Sequence, residues 1–215
     1  MSTVEVFERW AQEYDAWFAT HIAAYHSELA AVKVFLDGRE PSLEIGVGSG
    51  RFAGPLGVTF GVEPAWSLAK LAQARGVKVV QGRAEFLPFA EATCKLVLLI
   101  TVLEFVPDPE QAVQEALRVL QPGGRLVVAL LDPASPLGRC YEARKDQSKF
   151  YAQARFLPVL QVLEWLAARA CRPLQVVQTI FREPAQLIGP EPVRPGHGEG
   201  LFVVIAADKP ERRPA

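Results

Sequence analysis

Asparagine is missing altogether from the 215 residues, methionine occurs once, and the three cysteines, Cys94, Cys140 and Cys171, stand far apart with no C-x-x-C among them. Thiols so few and so scattered exclude a disulfide framework and a zinc site, and reduced cysteines are expected. No stretch approaches the ~18 uncharged apolar residues of a membrane span. The longest apolar run, Leu96 to Val102, is strand length. The opening residues, Ser2 to Val6, do not read as a signal peptide, so the cytoplasm is the expected compartment. A dominant charge is lacking too. The 23 basic and 24 acidic residues leave a formal net charge of −1, too little to draw in nucleic acid or an anionic membrane. No His/Asp/Glu cluster points to a metal. What abounds is Ala, Leu, Val, Arg and Pro, which fits a GC-rich genome or a heat-adapted protein alike. With 50% apolar residues the chain suits one α/β domain, long enough to bury roughly 70% of its unfolded surface.

The apolar pattern switches between helix and strand periods. Phe7, Trp10, Tyr14, Trp17, Phe18, His21, Ile22 and Tyr25 recur three and four apart, so a helix is expected over 5–36. Residues 1–40 then form a helical cap ahead of a domain at 41–210, with a polar tail at 211–215. Strands are expected at 42–47, 58–63, 77–81, 95–101, 125–131, 174–181 and 201–207. Helices are expected at 64–75, 108–120 and 157–170, the first opened by Pro64, since proline is favoured in a first helical turn. Alternating β and α argues for a doubly wound sheet. Between the last two strands lies only a loop rich in proline and glycine, so those strands must pair antiparallel. The expected fold is α/β: a doubly wound, mostly parallel seven-stranded sheet whose last strand is antiparallel.

Leu43 to Gly50 reads Leu-Glu-Ile-Gly-Val-Gly-Ser-Gly, a buried strand running into a turn made almost wholly of glycine. Glycine there supplies backbone angles closed to other residues and lets a ligand lie against the main chain. Nineteen positions after Glu44 a second short apolar run ends in Glu63-Pro64. An acid about twenty positions past a glycine turn is placed to grip the hydroxyls of a ribose. The third glycine of a G-x-G-x-x-G dinucleotide fingerprint is absent, because Arg51 holds that position, and no Gly-Lys-Ser/Thr of a phosphate loop follows. The pattern that stands here, E-x-G-x-G-x-G from Glu44 to Gly50, resembles motif I of class I S-adenosylmethionine-dependent methyltransferases. Glu63 matches that family's ribose-binding acid.

Further segments fall in the same family's order. Gly82-Arg-Ala-Glu-Phe-Leu-Pro-Phe89 resembles the loop that holds the adenine, with Arg83 where aspartate is usual. Strand 95–101 leads to Val106-Pro-Asp-Pro109, and Arg118-Val-Leu-Gln-Pro-Gly-Gly-Arg-Leu-Val-Val128 matches the last motif. The N-P-P-Y of enzymes that methylate base or amide nitrogens is absent. Glu13-Tyr-Asp-x-Trp-Phe18 is similar to small-molecule members such as those of quinone biosynthesis, the type 11 branch, whose helix there caps the cofactor. Plain packing of an aromatic stripe explains Tyr14 and Trp17 equally well.

The resemblance implies a Rossmann-like methyltransferase fold, S-adenosylmethionine as cofactor and a small organic acceptor, with no nucleic-acid or membrane partner. It implies cofactor contacts from Glu44, Gly46, Gly48, Gly50, Glu63, Pro64, Arg83, Ala84, Glu85 and Thr101. The insertion at 138–156 follows strand five and rises over the ligand edge, as does the loop at 182–200. Tyr141, Phe150 and Tyr151 are therefore expected in an acceptor pocket, and Glu104, Tyr14 and His197 are the candidates for a catalytic base. Two rival readings are a cofactor-binding protein without turnover, and an RNA or protein methyltransferase, which would be expected to show a basic face or a further recognition domain.

Overall fold

The computed structural model describes residues 1–211, so the expected polar tail, past Glu211, lies outside the described residues. The chain opens with α1 (Thr3–Arg9), α2 (Ala11–Thr20) and α3 (Ile22–Lys33). The single helix expected over 5–36 is thus three. Its stripe is continuous in sequence, but the backbone leaves helical geometry at Trp10 (φ −114°, ψ 30°) and His21 (φ −112°, ψ 48°). Each break residue still donates one helical bond, Trp10 N–H to Val6 at 3.1 Å and His21 N–H to Trp17 at 2.9 Å, and accepts another, from Tyr14 and Tyr25, both at 3.0 Å, so the apolar face bends around the domain instead of running straight past it.

There follow β1 (Ser42–Ile45), α4 (Ala53–Leu56), β2 (Phe60–Glu63), α5 (Trp66–Ala74), β3 (Lys78–Gln81), β4 (Cys94–Ile100), α6 (Pro109–Val119) and β5 (Leu120–Leu131). The chain closes with α7 (Pro136–Arg144), α8 (Val159–Ala168), β6 (Arg172–Thr179), β7 (Arg194–Pro195) and β8 (Phe202–Asp208). The sheet order is β3-β2-β1-β4-β5-β8-β6-β7. Strands β1 to β5 pair in parallel, and β8 lies antiparallel between β5 and β6. The mostly parallel, doubly wound sheet with an antiparallel late strand is the fold read from the pattern.

Three details differ. Among the described residues the sheet has eight strands, because two-residue β7 adds to β6 at Val177 and Gln178; a strand so short, with proline in it, leaves no periodic signal. Strand β5 starts at Leu120, and Pro122-Gly123-Gly124 is absorbed as a register shift between Cys94/Leu120 and Leu96/Arg125. Pro64 stands outside α5, whose cap is Ala65. The Glu63 carboxylate accepts the Ala65 N–H at 2.9 Å and so holds the chain extended before the helix begins.

Strand β4 is apolar on both faces because helices cover both. Val97 and Leu99 pack under α6 and α8, while Leu98 and Ile100 pack under α3 and α5. The parallel strands end at one edge, with Glu63 of β2 and Ile100 of β4 on either side of the glycine turn and Gln81 of β3 beyond Glu63.

Candidate active site

The turn after β1 is fixed by main-chain and carboxylate bonds. Val47 N–H donates to Val62 O at 3.0 Å. Gly48 N–H donates to Glu63 Oε2 at 2.9 Å, so one carboxylate ties the turn to the end of β2. Two glycines are obligatory by space as well as angle. At Gly46 (φ 66°) a Cβ would stand 2.5 Å from Val102 Cγ2, and at Gly50 (φ 79°) it would stand 2.9 Å from Ala72 Cα. The second contact lets α5 press directly on the turn. Thr101, at the end of β4, adopts φ 49°, a rare conformation for a β-branched residue. Strain of this kind gathers at ligand sites.

A cavity of about 100 Å³ opens at this edge, with Gly46, Glu63, Pro64, Arg83, Ala84, Glu85 and Thr101 in its wall. Glu44, Gly48 and Gly50 are not in that wall. Glu44 is only 2% exposed beneath the turn, and burial holds its carboxyl well above the usual range. Arg83 reaches back to Glu85 at 3.7 Å. The opposite wall, not foreseen from sequence, is Thr3, Val4 and Phe7 of α1 with Val102, Phe105 and Val106 after β4. Ligand pockets for small molecules measure roughly 300–1,000 Å³, so α1 sits over a space narrower than such a ligand.

Comparison with known proteins decides the family. The methyltransferase domain family matches residues 43–128. Over 206 residues the chain is 42% identical to an uncharacterized protein of Methanocaldococcus jannaschii, covering 96% of this chain and 100% of that one. A solved S-adenosylmethionine-dependent methyltransferase of Thermotoga maritima, described as a possible histamine N-methyltransferase, shares 45% identity with a TM-score of 0.92, covering 95% of this chain and 99% of its own. The chain belongs to the S-adenosylmethionine-dependent methyltransferases. Over a shorter stretch of 69 residues this methyltransferase is 41% identical to a ubiquinone/menaquinone biosynthesis C-methyltransferase of Klebsiella pneumoniae, spanning 31% of this chain and 28% of that one.

S-adenosylmethionine is the cofactor, and the residues present fit it. Gly46 stands in the wall with no room for a side chain against Val102, so the main chain itself faces the cavity, and Glu63 stands in the wall at the end of β2. Burial pushes Glu63 up to about 7 against the two N–H groups it accepts. Helix α2 is tied to the turn from outside. Arg51, in the place of a third glycine, forks both Asp15 oxygens at 2.8 Å. Arg75 adds a third bond to Asp15 at 2.8 Å and donates to the Ser49 carbonyl at 2.6 Å. Burial alone would raise Asp15, but the bonds from Arg51 and Arg75 outweigh it and hold the carboxyl at about 2. A folded-state value below the unfolded one stabilises above pH ~4, and the gain is lost as pH falls toward 2. Asp15→Asn is therefore expected to remove about 2 kcal/mol at pH 7 and to flatten the acid limb of the stability curve. Urea denaturation at pH 3, 5 and 7 measures both effects.

The six residues proposed for the acceptor, Glu104, Tyr14, His197, Tyr141, Phe150 and Tyr151, are absent from the cofactor cavity's wall. Four of them gather beside it in one aromatic cluster. Phe150 stacks on Phe7 (5.6 Å) and meets Tyr14 edge-on (5.8 Å), while Tyr151 stacks on Phe105 (6.0 Å) and touches Tyr141 (5.8 Å). Phe7 and Phe105 belong to both the cluster and the cavity wall, so the two adjoin. Tyr14 also lies over the turn, its ring 3.5 Å from where a Gly48 Cβ would be. Glu104 stands next to Phe105 in sequence. Its Oε1 accepts the Leu131 N–H at 2.8 Å, its Oε2 has no hydrogen-bond partner among the described residues, and burial pushes the carboxyl up to about 7. His197 is 34% exposed and stands 3.9 Å from Asp132, the residue after β5. Its loop is drawn there by the Gly198 N–H, which donates to Asp132 at 2.9 Å.

Glu28 was missed. It is 9% exposed on α3, and burial pushes its carboxyl up to about 8 with no offsetting bond. A signal did exist, since Tyr14, Phe18, His21, Tyr25 and Glu28 continue one three-and-four spacing, and a carboxylate on an apolar stripe is out of place there.

Proposed function

We propose that the protein methylates a small organic molecule, with the cofactor held by Glu63, Gly46 and the 83–85 loop and the acceptor held by the adjoining aromatic cluster. When bound, S-adenosylmethionine supplies a methyl group already activated by its sulfonium. What the protein must add is orientation, exclusion of water and a place for any proton the acceptor sheds. Glu63 and the main chain at Arg83 and Ala84 would bind ribose and adenine. Phe7 and Phe105 would shut water from the junction between cofactor and acceptor. Glu104 and Tyr14 are the groups near enough to that junction to hold or take a proton.

The observation that carries this reading is the sharing of Phe7 and Phe105 between cavity and cluster. A mostly aromatic wall with a few polar ends suits a small molecule. The similarity to a quinone-biosynthesis C-methyltransferase and to a possible histamine N-methyltransferase supports small acceptors over RNA or protein. The test is incubation with methyl-labelled cofactor and separate pools of metabolites, RNA and protein. Label in low-mass products is the expected result. Label confined to RNA or protein, or cofactor binding with no transfer to any pool, favours one of the rivals.

The cap reading narrows to α1 and α2. Removing residues 1–25 would take Phe18, Ala24 and Tyr25 out of the core, so that deletion tests folding rather than closure. Deleting residues 1–9 removes Thr3, Val4 and Phe7 from over the cavity, and of these residues only Val6 is buried. The shortened protein should fold and bind cofactor about tenfold more weakly, roughly 1.4 kcal/mol. Calorimetry showing unchanged affinity and turnover would make α1 ordinary packing.

A further inference from the structure

The glycine turn has a neighbour on its open face. At Gly48 (φ 53°) a Cβ would stand 3.5 Å from Tyr14 Cε1, 3.7 Å from the Tyr14 hydroxyl oxygen and 4.0 Å from the Gly46 carbonyl oxygen. A phenol donor and a main-chain acceptor thus border one small space beside Gly48. The Tyr14 hydroxyl makes no hydrogen bond among the described residues. Tyr25, on the next helix, differs, since its hydroxyl donates to the Arg51 carbonyl. Tyr14 is fixed from two sides. Its ring meets Phe7 edge-on at 5.2 Å and Phe18 at 5.5 Å, and it packs against the cluster of Ala11, Ala65 and Leu68. Phe7 and Leu68 are in the cavity wall, so Tyr14 stands next to that wall. Its chain neighbour Asp15 is clamped to the turn by Arg51 and Arg75, and the Asp15 carbonyl accepts one more bond from Arg51 at 3.1 Å.

A side chain held this firmly has little freedom left to lose when a ligand binds. Burial, and after it the charge of Glu63, pushes the phenol above its usual range. It therefore keeps its proton and acts as a donor, which makes it a poor base. The order of strands says which part of the cofactor would meet it. The 83–85 loop follows β3, Glu63 ends β2, and the glycine turn follows β1, next to Thr101 after β4. A nucleoside laid across β3 and β2 leaves the rest of S-adenosylmethionine, its sulfonium and its amino acid, for β1 and the turn. That amino acid has a carboxylate, which only accepts, and an ammonium, which only donates. In kind they complement the Tyr14 hydroxyl and the Gly46 carbonyl. A buried hydroxyl left without a bond is costly, and the carboxylate supplies the bond that the protein does not.

We propose that Tyr14 is a cofactor-binding residue whose hydroxyl donates a hydrogen bond to the carboxylate of the cofactor's amino acid. This rests on the cofactor-site reading above and deepens it. Tyr14 then holds its proton throughout, and of the two groups at the junction Glu104 is the one left to take a proton from the acceptor. Asp15 is a positioning residue, because its bonds to Arg51 and Arg75 set where α2 carries Tyr14 relative to the turn. Helix α2 thereby reads the amino-acid end of the cofactor, while β2 and the 83–85 loop read its nucleoside end.

The test measures binding, not turnover, and uses three ligands. S-adenosylhomocysteine has both the carboxylate and the ammonium, its decarboxylated form keeps only the ammonium, and methylthioadenosine has neither. Each is titrated calorimetrically into the parent and into Tyr14→Phe, the weaker two by displacement of S-adenosylhomocysteine. Tyr14→Phe keeps the ring and its packing, so it should fold as the parent does. It should lose at least fivefold of the affinity for S-adenosylhomocysteine and less than twofold of that for the other two. No loss for S-adenosylhomocysteine, or an equal loss for all three ligands, overturns the proposal while leaving the cofactor site in place. A loss shared by S-adenosylhomocysteine and its decarboxylated form, but not by methylthioadenosine, would put the hydroxyl at the ammonium and overturns it too. Failure of S-adenosylhomocysteine to bind the parent is a separate result. It removes the cofactor-site reading first, and this proposal with it.

Discussion

Replacing Glu63 by alanine weakens S-adenosylmethionine binding by 1.5–3 kcal/mol, about 10- to 150-fold, the range for hydrogen bonds to a charged group. Glu63 is 5% exposed, yet it stands in the cavity wall at the end of β2. Its carboxylate spans two backbone donors, Gly48 and Ala65, each at 2.9 Å. Alanine would therefore lose the proposed ribose contact and also free the turn that shapes the cavity. Glu63→Gln keeps an acceptor for one N–H and should show a smaller loss. A carboxylate accepts two hydroxyl donors only when ionised, and burial has pushed this one up to about 7. Cofactor affinity should accordingly fall as pH drops below 7, and the slope should vanish in Glu63→Gln. Calorimetry at pH 5.5, 7 and 8.5 reads both. A neutral result at alanine would mean that the ribose is held elsewhere.

Stability, measured without any ligand, should decline from pH 5 to pH 8. Burial raises Glu28 to about 8, and Glu63 and Glu104 each to about 7. A carboxyl whose folded value lies above its unfolded value binds more protons when folded. Its favourable contribution is present at low pH and is lost as pH rises from ~4.5 through the folded value. For Glu28 alone the shift corresponds to an upper bound of about 4–5 kcal/mol, which relaxation and water entry reduce to about half. The opposite pH dependence, from Asp15, is confined to pH below ~4, since its contribution is constant above that. Urea unfolding should thus be hardest near pH 5, with about 2–4 kcal/mol less stability at pH 8. Glu28→Gln should recover about 1–3 kcal/mol at pH 8 and little at pH 5. A parent curve that is flat or rising between pH 5 and 8 would show that Glu28 has a partner or reaches water.

The sequence by itself determined the sheet and the cofactor edge. Short apolar runs rich in Val, Ile and Leu and bounded by glycine and proline are of strand length and too short for helices, and the crossover rule then leaves few topologies. The glycine turn was legible because only glycine tolerates φ 66° at Gly46 with Val102 so close. Glu63 was legible by spacing, because one βα unit has a nearly fixed length. The three-helix course of residues 3–33 was not, since Trp10 and His21 bend the chain to follow a surface that exists only after the sheet has formed. The aromatic cluster was legible in part. Topology named Tyr14, Tyr141, Phe150 and Tyr151, but Phe7 from α1 and Phe105 after β4, which join them to one another and to the cavity, lie on segments that no local period connects. For His197, topology put the loop at the ligand edge, and the bond from Gly198 to Asp132, just past the end of β5, ties it there. Local spacing fixes what the backbone must do next, whereas which side chains meet across the edge depends on distances set only when distant segments pack.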